Sequence, residues 1–162
     1  MKIPKPEESK FSTTYLLNQT LVNGGGRSRR LGMASLGDSC FRSMWFKFRW
    51  VRQGSLGRRI NRIFSFGNAC EDIAIKDLTE IGITITDQQL GVDGWGGHIY
   101  GKIDGIAHNV PEAPATPHLL EVKSMNDRNF QKLKKLGVVE AQPKHYVQMQ
   151  MYMGKLKLTR AL

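Results

Sequence analysis

What the chain lacks narrows its class first. Two cysteines, Cys40 and Cys70, are too few for a disulfide framework in 162 residues. The fold must therefore stand on its own core, and the composition suits a reducing compartment. No CxxC or HxxxH pair occurs, which argues against a structural zinc site within the chain. No uninterrupted apolar run reaches the length of a membrane span. The opening MKIPKPEESK has no apolar core of the kind a secretion signal needs. Acids are also scarce, 14 Asp and Glu against 24 Lys and Arg, for a net charge of +10. With 40% apolar and 23% charged residues, the chain reads as one ordinary globular domain.

The excess charge is concentrated. Between Arg27 and Arg62 stand ten Arg and Lys and a single acid, Asp38. Such a local field favours a polyanion, although a solvated basic face has the same composition.

Pattern and punctuation predict the organisation. Residues 1–33, with Pro4, Pro6 and NGGGRSRR, read as a flexible basic segment, and 34–162 as the folded domain. SLGDSCFRSMWFKFRWVRQ predicts a helix capped by Ser35 or Asp38 and ended by Gly54. Phe41, Trp45 and Phe48 share one stripe of it; Trp45 and Phe48 read as core, with stacking of the aromatics on unpaired bases as the alternative. GRRINRIFSFGNACEDIAIKDLTEIG predicts a second helix, bent near Gly67, with Ile73, Leu78 and Ile81 as its core face and Gly82 as its stop.

The period then changes. ITITDQQL reads as a strand, GVDGWGG as a turn, and HIYGKIDGIAH as one strand with Ile99, Ile103 and Ala107 on one face and Lys102 and Asp104 on the other. NVPEAPATP, with three of the six prolines, is a loop. HLLEVKS is a strand with Leu120 and Val122 in the core. NDRNFQKLKKLG predicts a helix opening at Asn126 or Asp127 and closing at Gly137, and QPKHYVQMQMYMGKLK a last helix with Pro143 in its first turn. Met149, Met151 and Met153 read as core filler, and His98 and His108 as surface. The expected class is mixed α/β, an α+β arrangement of a small mixed sheet flanked by helices. LTRAL ends where a further strand would begin, so a C-terminal strand and helix are expected to be missing.

The chemistry-bearing residues lie on these elements. Alternation turns Glu121 and Lys123 the same way. If the two strands on either side of the proline loop pair antiparallel, Asp104 joins them. Converging carboxylates repel one another and suit a hard divalent cation, which takes one or two of them plus waters and phosphate oxygens. A lysine beside such an ion can hold a water or stabilise developing charge. Glu71 on the second helix offers another carboxylate, with Gly67 allowing close approach. Gln148 and Tyr152, four residues apart, share one face of the last helix and suit gripping a phosphate or orienting the lysine. His145 lies close by. Taken singly, Glu121 and Lys123 are an exposed ion pair, Glu71 a solvated helix residue, and Gln148 and Tyr152 a polar helix face.

Taken in order, an acid on a helix, GKIDGI, LLEVKS and QMQMY resemble the PD-(D/E)XK nuclease superfamily, in its RecB-like and lambda-exonuclease-like, phage-type branch. GHIYGKIDGI is similar to the motif that supplies the aspartate, LEVKS to E-x-K, and HYVQMQMYMG to Q-x-x-x-Y; LGDSCFRSMWFKFRW is similar to the helix before the core. The resemblance implies a restriction-endonuclease-like core and a magnesium- or manganese-dependent deoxyribonuclease that hydrolyses phosphodiester bonds. An exonuclease in phage recombination, repair or DNA processing is the expected form, in the cytoplasm of a bacterial host. It implies that Asp104, Glu121, the Val122 carbonyl and Glu71 hold metal, that Lys123 is catalytic, and that Gln148 and Tyr152 assist. Arg42, Arg49, Arg58, Arg59 and Arg62 are the candidate DNA contacts. Some relatives hold an iron–sulfur cluster on four cysteines. Cys40 stands where the first would be, but the later three are absent, so no cluster is expected. DNA is the implied partner, with a recombination or single-strand-annealing protein as a further one, and no membrane. The rival readings are a catalytically inactive nucleic-acid-binding module and a protein-interaction subunit on a nuclease-like scaffold.

Overall fold

The computed structural model describes Thr13, Tyr15 and residues 30–49, 51 and 58–162. Most of the expected basic segment 1–33 lies outside the described residues, as do Arg27, Arg29, Arg52 and Gly54. Among the described residues no helix is long and apolar enough to cross a membrane.

The architecture is mixed α/β, with two small sheets and helices packed on them. One sheet has the order β1-β4-β3 and the other β2-β5-β6-β7. The strands are β1 (Leu31–Gly32), β2 (Thr84–Thr86), β3 (Gly91–Gly94), β4 (Ile99–Lys102), β5 (Gly105–His108), β6 (His118–Leu120) and β7 (Arg160–Ala161). The helices are α1 (Phe41–Phe48), α2 (Arg58–Glu80), α3 (Asp127–Ala141) and α4 (Pro143–Leu156), with a 3-10 turn at Met33–Gly37.

The single strand expected over HIYGKIDGIAH is broken at Ile103 and Asp104, and its halves join different sheets. Ile103 leaves the ladder, and its amide donates to the Leu90 carbonyl at 3.1 Å. The break resets side-chain parity. Ile99 and Ile103 pack in the cluster of Met33, Val92, Leu119 and Tyr152, whereas Ala107 packs in the cluster of Ile83, Val110 and Leu120. The expected common face of Ile99, Ile103 and Ala107 is therefore divided between two cores. β6 separates those cores, with Leu119 in one and Leu120 in the other, as alternation requires. Val122 packs beside Leu120 as expected.

GVDG, read as part of a turn, is β3, and the turn follows at 95–98. Glycine is a poor strand former, but a Cβ at Gly91 would lie 2.9 Å from the Tyr100 hydroxyl, so the close approach of that ring requires glycine. LTRAL supplies a strand already, since β7 pairs in parallel with β6.

The first helix differs most from expectation. Met33–Gly37 form a 3-10 turn packed on α4, where a Cβ at Gly37 would meet the Lys144 backbone at 2.6 Å. Helix α1 then starts afresh with Cys40 as its N-cap, its Sγ accepting from the Ser43 amide. Asp38 does not cap it directly; its carboxylate accepts from the Cys40 amide, Lys47 and Lys144. Lys47 first, then the Cys40 amide, hold that carboxyl down to about 2. Trp45 and Phe48, expected in the core, are 53% and 38% exposed, and Phe41 on the same stripe is 80% exposed.

Helix α2 runs unbroken for 23 residues. Leu78 meets the second core as expected, joined by Ile75, but Ile73 and Ile81, expected beside it, face solvent. Gly82 ends the helix at φ 93°. Helix α3 opens at the Asn126 cap, as expected, and its first stretch closes at Gly137, also as expected, where a φ of 73° is non-helical; a second helical stretch follows directly to Ala141.

Two glycines separate by their surroundings. A Cβ at Gly101 would overlap the Tyr152 hydroxyl and lie 2.8 Å from Met33 Cβ, whereas one at Gly67 meets only Ser124 Oγ at 3.6 Å. Gly101→Ala is expected to lower urea-unfolding stability by about 1–3 kcal/mol or more. Gly67→Ala, within a helix, is expected to be neutral or to raise it by about 0.5–1 kcal/mol.

Candidate functional site

The break in the long strand puts Asp104 at the junction of the two sheets. The antiparallel register of β5 and β6 pairs Gly105 with Leu120, so Asp104 and Glu121 follow as opposite residues just beyond the ladder. Asp104 Oδ2 accepts from the Val122 amide at 2.7 Å. This bond anchors a carboxylate that is only 8% exposed.

Glu121 is the more deeply buried acid, with 2% of its side chain exposed. Its Oε1 accepts from Lys123 Nζ and from Gln148 Nε2 at 2.6 Å. Its Oε2 is buried without a hydrogen-bond partner. Burial, working against the charge of Lys123, pushes the carboxyl up to about 7, with Asp104 and Glu71 adding to the rise. Lys123 Nζ also lies 3.9 Å from Asp104 Oδ2 and donates to the Val122 carbonyl at 3.3 Å. Asp104, Glu121 and Lys123 thus lie together, as alternation and antiparallel pairing led one to expect, whereas Gln148 reaches Glu121 rather than the lysine.

Tyr152 is buried, and its hydroxyl donates to the Lys102 carbonyl at 2.9 Å. Burial first, then the charge of Glu121, push that hydroxyl up to about 12. In this arrangement Tyr152 is tied to the backbone leading into Asp104. His145 has a buried Nδ1 without a partner, and its pKa is lowered by burial and by the charge of Lys123.

Glu71 faces the group across a cleft of about 410 Å³, lined on one side by Ile63, Phe64, Gly67, Asn68 and Glu71 of α2. Asp104, Val122, Lys123 and Ser124 line the other side. Burial and the charge of Asp104 raise the Glu71 pKa, while Gln89 donates to its Oε1 at 2.7 Å. Gln89, Ile63, Phe64 and Asn68 escaped the sequence reading. The helical positions were legible, because Phe64, Gly67, Asn68 and Glu71 follow one another at helical spacing. Gln89 carried no signal.

Among the described residues no group of three or more His, Cys, Asp and Glu side chains is gathered closely enough to form a metal centre. The Asp104–Glu121 pair with the Val122 carbonyl nonetheless has the right chemistry for a hard cation that keeps several waters. The buried, unpartnered Oε2 of Glu121 is an acceptor with nothing yet to accept from.

The candidate DNA contacts fall into two groups. Arg42 on α1 and Arg49 at its C-cap are exposed. Arg58, Arg59 and Arg62 lie in the opening turns of α2, which has no acid in its first turn. Cations at that end oppose the helix dipole. Cys40 and Cys70 are free thiols. Compared with known protein families, with curated proteins and with solved structures, the chain matches none.

The burial of Glu121 has a measurable pH signature in the absence of divalent cations. Its carboxyl stands at about 7 in the fold against an ordinary 4.5. The native chain therefore binds more protons than the unfolded chain within that window, and stability falls as pH rises through it. Urea unfolding in EDTA is expected to lose on the order of a few kcal/mol between about pH 5 and about pH 8, with most of that slope absent in Glu121→Gln. Equal slopes in the two proteins would refute this account.

Proposed function

We propose that the chain is a divalent-metal-dependent DNA nuclease of the PD-(D/E)XK type, an exonuclease acting at DNA ends. The observation that carries this reading is the convergence of Asp104, Glu121 and Lys123, with Asp104 and Lys123 lining one cleft and Glu121 buried behind them. Composition adds the ten cations between Arg27 and Arg62, a sequence-independent attraction for a phosphate backbone.

Asp104, Glu121 and the Val122 carbonyl would hold magnesium or manganese. When bound, the ion supplies charge stabilisation at the phosphoryl group and acidifies water. The rest falls to the chain's own residues. Gln148 fixes the Glu121 rotamer through its amide, and the Val122 amide fixes Asp104. Lys123 offers an ammonium at the cleft wall, where it can donate to a phosphate oxygen and stabilise growing negative charge. Tyr152 is a positioning residue, because it binds backbone at Lys102. Ile63 and Phe64 give the cleft an apolar wall, which limits water around the reacting group.

A second reading, DNA binding without cutting, is favoured by one observation. The Lys123 ammonium closes directly onto Glu121, so the cationic role beside the two carboxylates is already filled by the chain.

End-labelled linear DNA and closed circular DNA in magnesium, manganese or EDTA separate the two. Metal-dependent degradation of the linear substrate, with the circle spared, is expected. Lys123→Ala and Asp104→Ala are each expected to reduce the rate by roughly 10²–10³-fold or more. Binding without cutting in either metal would establish the second reading and overturn the first.

A further inference from the structure

We propose that α1 is a stacking platform for unpaired bases, so that the substrate engages the chain as single-stranded DNA. This rests on the nuclease reading and deepens it. Three observations converge on it. Phe41, Trp45 and Phe48 occur at i, i+4 and i+7 and are 80%, 53% and 38% exposed, so the stripe is aromatic and faces outward. From Phe41 to Phe48 the helix rises roughly 10 Å, room for about three bases at a stacked spacing of about 3.4 Å.

The charged residues of α1 are cations alone, and no acid lies within the helix. Lys47 turns to Asp38, while Arg42 on the helix and Arg49 at its C-cap follow Phe41 and Phe48 directly and are exposed. The Arg49 guanidinium sits over the Trp45 ring at 5.8 Å, and the Phe48 ring meets His98 edge-on at 5.8 Å between centroids. A stripe of rings flanked by positive charge complements a chain of flat bases on a negatively charged backbone.

Position supplies the third observation. Asp38, two residues before the Cys40 cap, bridges Lys47 of α1 and Lys144 of α4. Lys144 lies one turn before Gln148, the residue that holds Glu121. The platform is thus fastened to the helix that carries part of the candidate site.

Binding of fluorescent oligo-dT and of a blunt hairpin duplex, measured in EDTA, tests this without any need for cutting. Trp45→Ala and Phe41→Ala are each expected to weaken oligo-dT binding about tenfold, by analogy with a single lost stack. Trp45→Phe should retain most of the affinity, and hairpin binding should not change. The salt dependence of oligo-dT binding should keep its slope, because no phosphate contact is removed.

Unchanged oligo-dT affinity in both alanine variants overturns the proposal. So does an equal loss on the hairpin, or a loss confined to binding of phosphatidylserine vesicles or to self-association. Trp45 fluorescence that is already blue-shifted and shielded from acrylamide in the free protein does so too, since the chain would then cover its own stripe. Failure here is separable from failure of the nuclease reading: metal-dependent cutting with a neutral Trp45→Ala loses only the platform, and Trp45-dependent oligo-dT binding without cutting loses only the chemistry.

Discussion

The carboxylate of Glu121 sets the terms for the structure around it. An ionised acid buried this deeply costs several kcal/mol unless charge and hydrogen bonds answer it. Lys123 answers from two residues along the same strand, and Gln148 from the last helix. One turn further along that helix, the Tyr152 hydroxyl reaches Lys102. Helix α4 is therefore bonded to β6's end in one sheet and to β4's last residue in the other. The same side chains that shape the candidate site also hold the two sheets in register with each other.

The junction at Ile103 and Asp104 is the matching constraint in the strands. A single straight strand would have kept Ile103 and Ala107 on one face and given the molecule one core. The break assigns them to two cores. It also leaves Asp104 outside a ladder, where its carboxylate accepts from the Val122 amide across the strand ends. Polar chemistry is thus placed where the regular pairing stops, which is where a side chain can be aimed without opposing a neighbour.

Strand alternation made Glu121 and Lys123 legible in the sequence, and the one-turn spacing of Gln148 and Tyr152 made that pair legible. The Asn126 cap and the Gly82 stop followed from local chemistry in the same way. What local chemistry does not carry is coverage. The spacing of Phe41, Trp45 and Phe48 says that they share a face, but nothing in it says that no other element lies over that face. Ile73 and Ile81 misled for the same reason: Leu78 makes the core contact expected of it, but its companion there is Ile75. β3 was hidden by its own composition, since two glycines and an aspartate in GVDG form a strand only because β4 pairs with them. The fold class was accessible from order and period; the division into two sheets was not, because it depends on one non-repeating residue pair.

Among the described residues, helix α2 meets the second core near its C-terminal end. Its core contacts come from Ile75 and Leu78, in its last two turns, while Ile63 and Phe64, toward the opposite end, are 54% exposed each. Those two side chains stand in one wall of the cleft. An occupant that touches Phe64 would bury apolar surface the chain leaves exposed, and so add a hydrophobic contribution to whatever its charged groups gain at Asp104 and Lys123.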